Sequence, residues 1–392
     1  MAGSGLLRRR DEAGSGRVSY VELFFDLVFV FTIIQLSHAL AHHFTPVGLF
    51  ESAVLVLAIW WVWMFTTWVL NWLDPQAMAV RLLLFAMMFA GLLLSTAMPG
   101  AWTDSGLAFA VTYTAMQVGR SLFAAWCFRR EGHKGGERNF LRIAFWLSCS
   151  GVFWIAGGIA SPEMRLVLWP IALLIEYASP AAYFWTPGLG RSSTSDWDIS
   201  GAHMAERCAL FVIICLGETI LVNGRTFSDI TVTPQTAIAF GAAFVTTCTL
   251  WWVYFRFGHD RASHAIEHSE DPGRLGRAVF TYAHIPIVAG IIVTAVGGQF
   301  MLDHPTGHSR MPEAVAILGG PALFLLGNIW FKRSVFGRAP LSHMAGLALL
   351  AGVAPFHGLL EPFALGFVAA AILVTVAVWE FRSIGASRHS AA

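Results

Sequence analysis

The residues of this chain most able to do chemistry are ionisable side chains that lie inside long apolar stretches. They are seven charged residues and two histidines, namely Glu22, Asp26, Arg120, Glu176, Glu206, Arg207, Glu218, His38 and His284. A charge at the centre of a membrane-spanning helix costs about 2.5–3.5 kcal/mol on insertion scales. Such groups therefore usually face a helix-bundle interior or a wet cavity, where they pair with one another, bind ions or carry protons.

Glu22 and Asp26 are spaced four residues apart, so both lie on one face of a helix. Two carboxylates in a low dielectric repel each other, which is the physical condition for a proton or cation site. An alternative is that Asp26 pairs with Arg120 and only fixes the packing of two helices. Asp26 and Arg120 would each lie about 12 Å from the cytoplasmic end of their helices, and Glu176 and His284 at a similar depth. These four residues could meet near the midplane if their helices are neighbours.

The seventh apolar stretch carries two acids at different heights. Glu206 and its neighbour Arg207 lie near the cytoplasmic interface and point to different faces of the helix. Glu218 lies about 22 Å from the inner start of that helix. Acids at two heights suit a relay or a two-ended pathway, whereas snorkelling to the interface would also account for Glu206. His38, at the outer end of the first stretch, is typical of an interfacial group.

Prolines interrupt two of the stretches that carry these groups. Positions 170 and 180 flank Glu176, and a proline follows Tyr282 and His284. Interrupted helices free backbone carbonyls, which can coordinate ions at a midplane site. In either stretch the proline could equally be a simple kink.

The composition excludes most soluble classes of protein. Of the 392 residues, 56% are hydrophobic and 12% are charged, against roughly 25% charged in a soluble domain; the mean hydropathy is +0.62. Lys and Arg total 25 against 24 Asp and Glu, so no global field favours a nucleic acid. The partners we expect are the lipid bilayer and a small ion or solute.

Twelve stretches reach the roughly 20 apolar residues that a transmembrane helix needs, which predicts an all-α polytopic bundle. They are 18–40, 48–72, 79–98, 107–128, 140–160, 164–186, 203–223, 234–255, 276–298, 312–331, 341–359 and 361–381. Most Lys and Arg residues fall on the side of the N-terminus, so both termini are predicted to be cytoplasmic. The tryptophans at 60–72 are predicted to anchor a helix at the membrane interface.

The stretches are predicted to form two parallel six-helix repeats. Each half opens with a glutamate, Glu22 or Glu206, and its second stretch carries a tryptophan pair. An even number of helices gives both halves the same orientation. The predicted organisation is a disordered tail 1–17, a first half 18–186, a cytoplasmic linker 187–202, a second half 203–382 and a tail 383–392.

No cofactor or metal is indicated. The cysteines form no C-x-x-C pair, and no phosphate-binding loop is present. The segment 264–268 reads H-x-x-E-H, an inverted zinc-protease signature, but it lies in a short loop with no protease domain around it.

Two parts of the sequence resemble a known family. The run V-E-L-F-F-D-L-V-F-V at 21–30, continuing to Q-L-S-H at 35–38, strongly resembles the opening of the bacterial low-temperature-requirement A family. So does A-E-R at 205–207 followed by L-G-E-T at 216–219. The resemblance covers about 17–382 and implies a polytopic protein of the bacterial inner membrane. A fainter likeness links F-F-D-L-V-F at 24–29 to the F-S-D-G-V-F opening of a lysosomal potassium-channel family built from two six-helix repeats, although Phe25 and Leu27 depart from it.

The leading hypothesis is a secondary transporter or ion/proton pathway. Glu22 and Asp26 would bind the ion, Arg120 would balance them, and Glu206, Glu218 and His284 would line the second half. One alternative is an intramembrane enzyme for a lipid or hydrophobic substrate, with Glu22, Asp26 and His284 as acid–base groups. The other is a structural or stress-related membrane protein whose buried charges only pack helices.

Overall fold

The computed structural model of the chain describes residues 5–8, 17–193, 199–256 and 271–389. The H-x-x-E-H segment at 264–268 lies outside these ranges. So do most of the expected N-terminal tail, the middle of the expected linker and the last residues of the expected C-terminal tail.

Every regular element of the described ranges is helical, which confirms the all-α prediction. Twelve helices account for the twelve predicted stretches: α1 Tyr20–His42, α2 Pro46–Trp72, α3 Met78–Ala97, α4 Gly106–Arg130, α5 Lys134–Ile159, α6 Pro162–Ala178, α7 Gly201–Asp229, α8 Pro234–Phe255, α9 His284–Asp303, α10 Met311–Phe336, α11 Leu341–Val353 and α12 Pro362–His389. A short helix, Pro272–Gly276, and a π-helical turn, Arg277–Tyr282, lead into α9. Their backbone pairing is internal, as a lipid environment requires.

Eight of the helical segments are long and apolar enough to cross a membrane, judged by length and composition. They are Tyr20–His42, Pro46–Trp72, Met78–Gly100, Lys134–Ile159, Pro234–Phe255, Gly273–Asp303, Met311–Phe336 and Pro362–Ser383. The number of helices that span the bilayer and the internal repeat stay predictions.

The exposed face of α3 is apolar. Leu82, Phe85, Phe89 and Leu92 follow one another at three- and four-residue steps and are each 44–65% exposed. That spacing puts them on one helix face. A continuous apolar face of this kind is a liability in water and is the natural surface toward lipid acyl chains.

Several helix ends are set by local sequence. Pro234 occupies the first turn of α8, and Thr233 and Thr236 form a reciprocal capping box there. At the start of α10, Glu313 accepts a hydrogen bond from the backbone N–H of Arg310. Gly337, in the left-handed conformation at φ 73°, ends α10. Caps of this kind satisfy terminal N–H and C=O groups that have no partner inside the helix.

Two helices end earlier than their predicted stretches. The predicted span 164–186 is helical only to Ala178, because Pro180 cannot continue the hydrogen-bond ladder and Tyr183 and Phe184 turn the chain at positive φ. Helix α11 ends at Val353, and a 3₁₀ segment, Ala354–Leu359, replaces the rest of the predicted span 341–359.

The chain divides into two compact units. Unit 1 comprises Met1–Leu36, Val47–Arg207 and Ile266–Arg274, and unit 2 comprises Ser37–Pro46, Cys208–Ala265 and Leu275–Ala392. The division along α7 falls directly after Arg207, so the first turns of that helix belong to unit 1.

Small residues allow the closest helix contacts within each unit. In unit 1, a methyl group at Gly158 of α5 would lie 2.9 Å from the Cα of Leu107 in α4. In unit 2, a methyl group at Gly320 of α10 would lie 2.5 Å from the backbone N of Thr294 in α9. Helices that associate in lipid rely on such backbone approach because the hydrophobic effect contributes little between them.

Candidate functional site

Glu22 is the centre of a cluster of buried polar and charged side chains. All members of this cluster belong to unit 1. Its carboxylate accepts hydrogen bonds from Arg8 at 3.0 Å, from the hydroxyl of Ser19 at 2.8 Å, and from Nε2 of His203 at 2.7 Å. Asn71 donates to Nδ1 of the same imidazole at 3.3 Å. Glu22 is fully buried, and these donors compensate the loss of its hydration.

Asp26 lies one turn further along α1 and is paired with Arg207. Its Oδ1 accepts from the Arg207 guanidinium at 2.8 Å and from the indole N–H of Trp63 at 2.8 Å. Arg207 also donates to the backbone carbonyl of Glu22 at 2.9 Å. Within the described residues Asp26 therefore pairs with Arg207, and the alternative of an Asp26–Arg120 pair is wrong. Estimates of depth do not reveal which helices are neighbours, and the first turns of α7 bring Arg207 to this position instead.

Arg120 of α4 contacts α2 and not Asp26. It donates to the backbone carbonyl of Val62 at 3.1 Å and to the hydroxyl of Thr66 at 3.2 Å, and its other terminal nitrogen donates to Gln117 at 2.6 Å. Its guanidinium lies over the ring of Phe65. These contacts are all with neutral groups, so Arg120 is held by hydrogen bonds and a cation–π contact.

Glu176 of α6 is the centre of a network of neutral donors. Its carboxyl group accepts hydrogen bonds from Tyr113 at 2.5 Å, Ser150 at 2.7 Å and Trp154 at 2.9 Å. Gln117 donates to the Tyr113 hydroxyl at 3.0 Å, so a continuous hydrogen-bond chain runs from Arg120 to Glu176. Helices α4 and α5 supply the donors and α6 supplies the carboxyl group, so the network ties the three helices together.

The four residues expected to meet at one depth thus divide among separate clusters. Asp26 pairs with Arg207, whereas Arg120 and Glu176 share the Tyr113–Gln117 chain. His284 belongs to unit 2.

Glu218 of α7 is a buried acid of unit 2 and is set apart by its surroundings. Its side chain is buried, with 1% of the residue exposed, and neither carboxylate oxygen has a hydrogen-bond partner among the residues that the structure describes. It lies about 26 Å along the helix from Gly201. The next residue, Thr219, bonds to Leu216 and Thr247 instead. A bare carboxylate is very costly in such surroundings, so this group requires a proton or a cation.

His284 begins α9, directly after the π-helical turn. The turn presents the Val279 carbonyl to Nδ1 at 2.9 Å, while Nε2 lies 2.7 Å from the Tyr254 hydroxyl. A carbonyl can only accept, so Nδ1 carries the proton and Nε2 accepts from Tyr254. Tyr282, a secondary candidate from the sequence, lies half-buried within the π-helical turn itself.

A buried cation–acid cluster in unit 2 escaped the sequence analysis. Lys332 donates to both oxygens of Glu380, at 2.7 and 2.9 Å, and lies 3.1 Å from Nε2 of His343. All three residues are at most 4% exposed. Lys332 lies just past the predicted stretch 312–331, and Glu380 lies within the predicted stretch 361–381 but was not among the ionisable residues singled out there. Helix α10 instead continues to Phe336 and keeps Lys332 inside the protein.

The remaining sequence-predicted residues are less enclosed. Glu206 is half-buried and accepts from the backbone N–H of Val18 at 3.1 Å, within unit 1. His38, in unit 2, is half-buried near the end of α1. Neither has the enclosure of Glu22 or Glu218.

Two further members of the Glu22 cluster were missed from the sequence. His203 lies four residues before Arg207, so a helical-face argument could have found it. Arg8 belongs to the tail that was expected to be disordered, and no pattern marks it. The described residues 5–8 lie beside the C-terminal end of α2, where Arg8 also donates to the Leu70 carbonyl at 2.7 Å.

The tryptophans of α2 are buried inside the protein rather than placed at an interface. Trp60, Trp61 and Trp63 are at most 2% exposed. Trp63 supplies both an N–H to Asp26 and a ring face to the Arg207 guanidinium, 5.5 Å from its centroid. Trp63 thus serves a buried charge pair, and all three indoles pack inside the protein, so the prediction that this segment anchors the helix at an interface is wrong.

The comparisons with known proteins identify the family of the chain. The sequence profile of the bacterial low temperature requirement A protein family (LtrA) matches residues 17–378. The chain belongs to this family. It is also 46% identical to an uncharacterised protein of Rhizobium meliloti (strain 1021) over 385 residues, which is 98% of this chain and 94% of the relative. No solved structure matches the chain. The apolar helices and LtrA membership together make it an integral, multi-pass membrane protein.

Proposed function

We propose that this LtrA protein is a secondary transporter or ion pathway that moves a proton or small cation, with Glu218 as the carboxylate that binds it. The observation that carries the proposal is the state of Glu218, which is buried and, in the described part of the chain, has no hydrogen-bond partner on either oxygen. A lysine or arginine paired with Glu218 would make the acid a packing element. No described residue forms such a pair with it, so the carboxylate is available to a mobile ion.

The other buried acids have roles different from those that the sequence predicts for them. Glu22, Asp26 and Glu380 each have a cationic partner within 3.0 Å. Breaking such a pair leaves an uncompensated buried charge, so these acids are poorly suited to releasing an ion in every cycle. We assign them to holding helices together within their own units.

Glu176 belongs to neither class, because its three donors are all neutral. A proton could be held on this carboxyl group, which Tyr113, Ser150 and Trp154 keep in place. We propose it as a second proton-binding group, in unit 1, while Glu218 serves in unit 2.

We further propose that the protein lies in the bacterial cytoplasmic membrane with both termini in the cytoplasm. The sequence supports this orientation through the bias of Lys and Arg toward one side. The partners of the protein are then the bilayer lipids and the transported ion.

The test is ion flux in liposomes containing the full-length purified protein. An internal pH dye and cation-selective dyes would follow H⁺, Na⁺ and K⁺ movement under an imposed membrane potential, at two pH values. We expect flux above protein-free liposomes, and we expect Glu218→Gln to reduce it to that background. The substitution keeps the side-chain shape and removes only the ionisable group.

Glu163→Gln is the matched control, because Glu163 is an exposed glutamate at the start of α6. This variant should conduct as the wild type does. Equal flux in the wild type and Glu218→Gln would contradict the role of Glu218. An absence of flux for every ion would contradict the transporter proposal and favour the packing alternative.

The intramembrane enzyme was the other alternative from the sequence. Its expected acid–base groups were Glu22, Asp26 and His284. Glu22 and Asp26 are held by Arg8 and Arg207, and both ring nitrogens of His284 have partners. These contacts favour ion movement or packing over acid–base catalysis by the three groups.

A further inference from the structure

A small cavity lies among the helices of unit 2, away from the buried charge pairs. Its volume is about 20 Å³, and its polar lining comes from Asn223 of α7, Thr246 of α8 and Thr294 of α9. A cavity needs roughly 10–15 Å³ on this measure to hold one water-sized particle. The space therefore has room for a single particle of that size.

Asn223 gives this cavity an unsatisfied acceptor. The residue is 4% exposed, and no described residue donates a hydrogen bond to its amide oxygen. Buried amide oxygens without a partner are rare and need a specific explanation. Because Asn223 lines the cavity, a particle held there is the natural partner for this oxygen.

A glycine in α9 makes room for the amide oxygen of Asn223. A methyl group at Gly298 would lie 2.3 Å from Oδ1 of Asn223, so only glycine lets the amide group approach α9. One turn earlier, the Thr294 hydroxyl donates its hydrogen to the Gly290 carbonyl at 2.7 Å. Its oxygen lone pairs are therefore left for a ligand, and both polar groups present acceptors.

We infer that this cavity binds one dehydrated monovalent cation of about the size of Na⁺. The lining offers neutral oxygen atoms from an amide and hydroxyl groups, and hard cations prefer oxygen ligands. Divalent cations are disfavoured because none of the lining residues is a carboxylate, and Ca²⁺ and Mg²⁺ sites rely on carboxylates. Neutral carbonyl oxygens are the ligands that bind monovalent cations in channels and transporters.

The same helix carries Glu218 five residues before Asn223, about 7.5 Å away along the axis. The unpaired carboxylate would supply a negative field that favours a cation over a neutral water in the cavity. The site goes beyond the proposed function, because binding there is measured without any transport.

The test is thermal unfolding of the purified full-length protein in detergent, in NaCl or KCl against choline chloride at equal ionic strength. A cation that binds only the folded state raises Tm. At roughly ten times the dissociation constant we expect an increase of about 2 °C. Direct binding of radioactive ²²Na⁺ to the wild type should saturate at a single ion per chain.

Asn223→Ala and Gly298→Ala should each abolish the Na⁺-dependent increase, the first by removing the oxygen and the second by filling its place. Gly241→Ala is the matched control, because a methyl group at Gly241 meets nothing within 4 Å. It should keep the full increase. Glu218→Gln should weaken cation binding and yet leave a saturable site, which separates this inference from the flux proposal.

The inference is overturned if neither cation changes Tm and no ²²Na⁺ binds the wild type, since the cavity then holds water only. It is equally overturned if Asn223→Ala and Gly298→Ala both fold and keep the whole Na⁺ effect. If both variants fail to fold, ²²Na⁺ binding to the wild type decides, with excess choline as the competitor that should not displace it.

Discussion

At the scale of single residues, the buried charges of this LtrA protein differ in what satisfies them. Asp26 has an arginine and an indole N–H, whereas Glu218 has no hydrogen-bond partner. Removing one member of a buried pair leaves the other charge uncompensated. Neutralising a buried charge that has no partner instead removes the free-energy cost of burying that charge. Stability measurements should therefore separate the two acids even before any flux is measured.

Asp26 and Arg207 should behave as one energetic unit. We expect Asp26→Asn and Arg207→Gln each to lower the free energy of unfolding by about 3 kcal/mol. The double variant should lose clearly less than the sum of the two, because neither partner is left behind alone. Denaturant unfolding in detergent, followed by tryptophan fluorescence, would measure all four proteins of the cycle.

The control for this cycle is Arg120→Gln, because Arg120 bonds to Val62, Thr66 and Gln117 rather than to Asp26. Combining it with Asp26→Asn should give additive losses, within about 0.5 kcal/mol. A coupling to Arg120 as large as the coupling to Arg207 would contradict the observed pairing and restore the pair expected from helix depth.

Glu218→Gln should not destabilise the protein and should stabilise it slightly, in contrast to Asp26→Asn. An amide costs less to bury than a bare carboxylate. The measurement is the same unfolding experiment at neutral pH, with Glu163→Gln as the exposed reference. A large loss of stability would mean that Glu218 has a structural partner, and would count against its role as a free ion-binding group.

At the scale of elements, the contact between α9 and α10 depends on glycines. A methyl group at Gly320 would lie 2.5 Å from the Thr294 backbone, whereas its neighbour Gly319 has only a side-chain atom at 3.9 Å. We expect Gly320→Ala to cost about 1–3 kcal/mol through overpacking. Gly319→Ala should be neutral or slightly stabilising, since alanine is the better helix former.

Adjacent positions make this comparison sharp, because both substitutions add the same methyl group to the same helix. Tm in detergent would report the difference. Equal effects at the two positions would show that α9 and α10 are not packed as closely as the distances indicate.

At the scale of the whole molecule, the orientation in the membrane is the main prediction. Green fluorescent protein fused after Ala392 should fluoresce, because it folds in the cytoplasm. Alkaline phosphatase fused after Asp104, between α3 and α4, should be active, because this segment is predicted to face the outside. Reversed reporter activities would overturn the cytoplasmic placement of the termini.

Much of the fold could be predicted from the sequence, and less of the candidate site. Stretches of about 20 apolar residues mark helices regardless of their neighbours, so all twelve were located. The early end of α6 was predictable in principle from Pro180. The partner of Asp26 was not, because rise along a helix measures depth and contains no information about which helices are adjacent.

The sequence by itself determined that this chain is an all-helical membrane protein of the LtrA family, and that a few charges are buried in it. Hydropathy and local motifs suffice for this, because they depend on each segment alone. Only the tertiary structure decided that Asp26 pairs with Arg207, that Lys332 and Glu380 are buried together, and that Glu218 has no hydrogen-bond partner. The physical reason is that the cost of a buried charge depends on the atoms within a few ångströms, and these come from residues far apart in the chain.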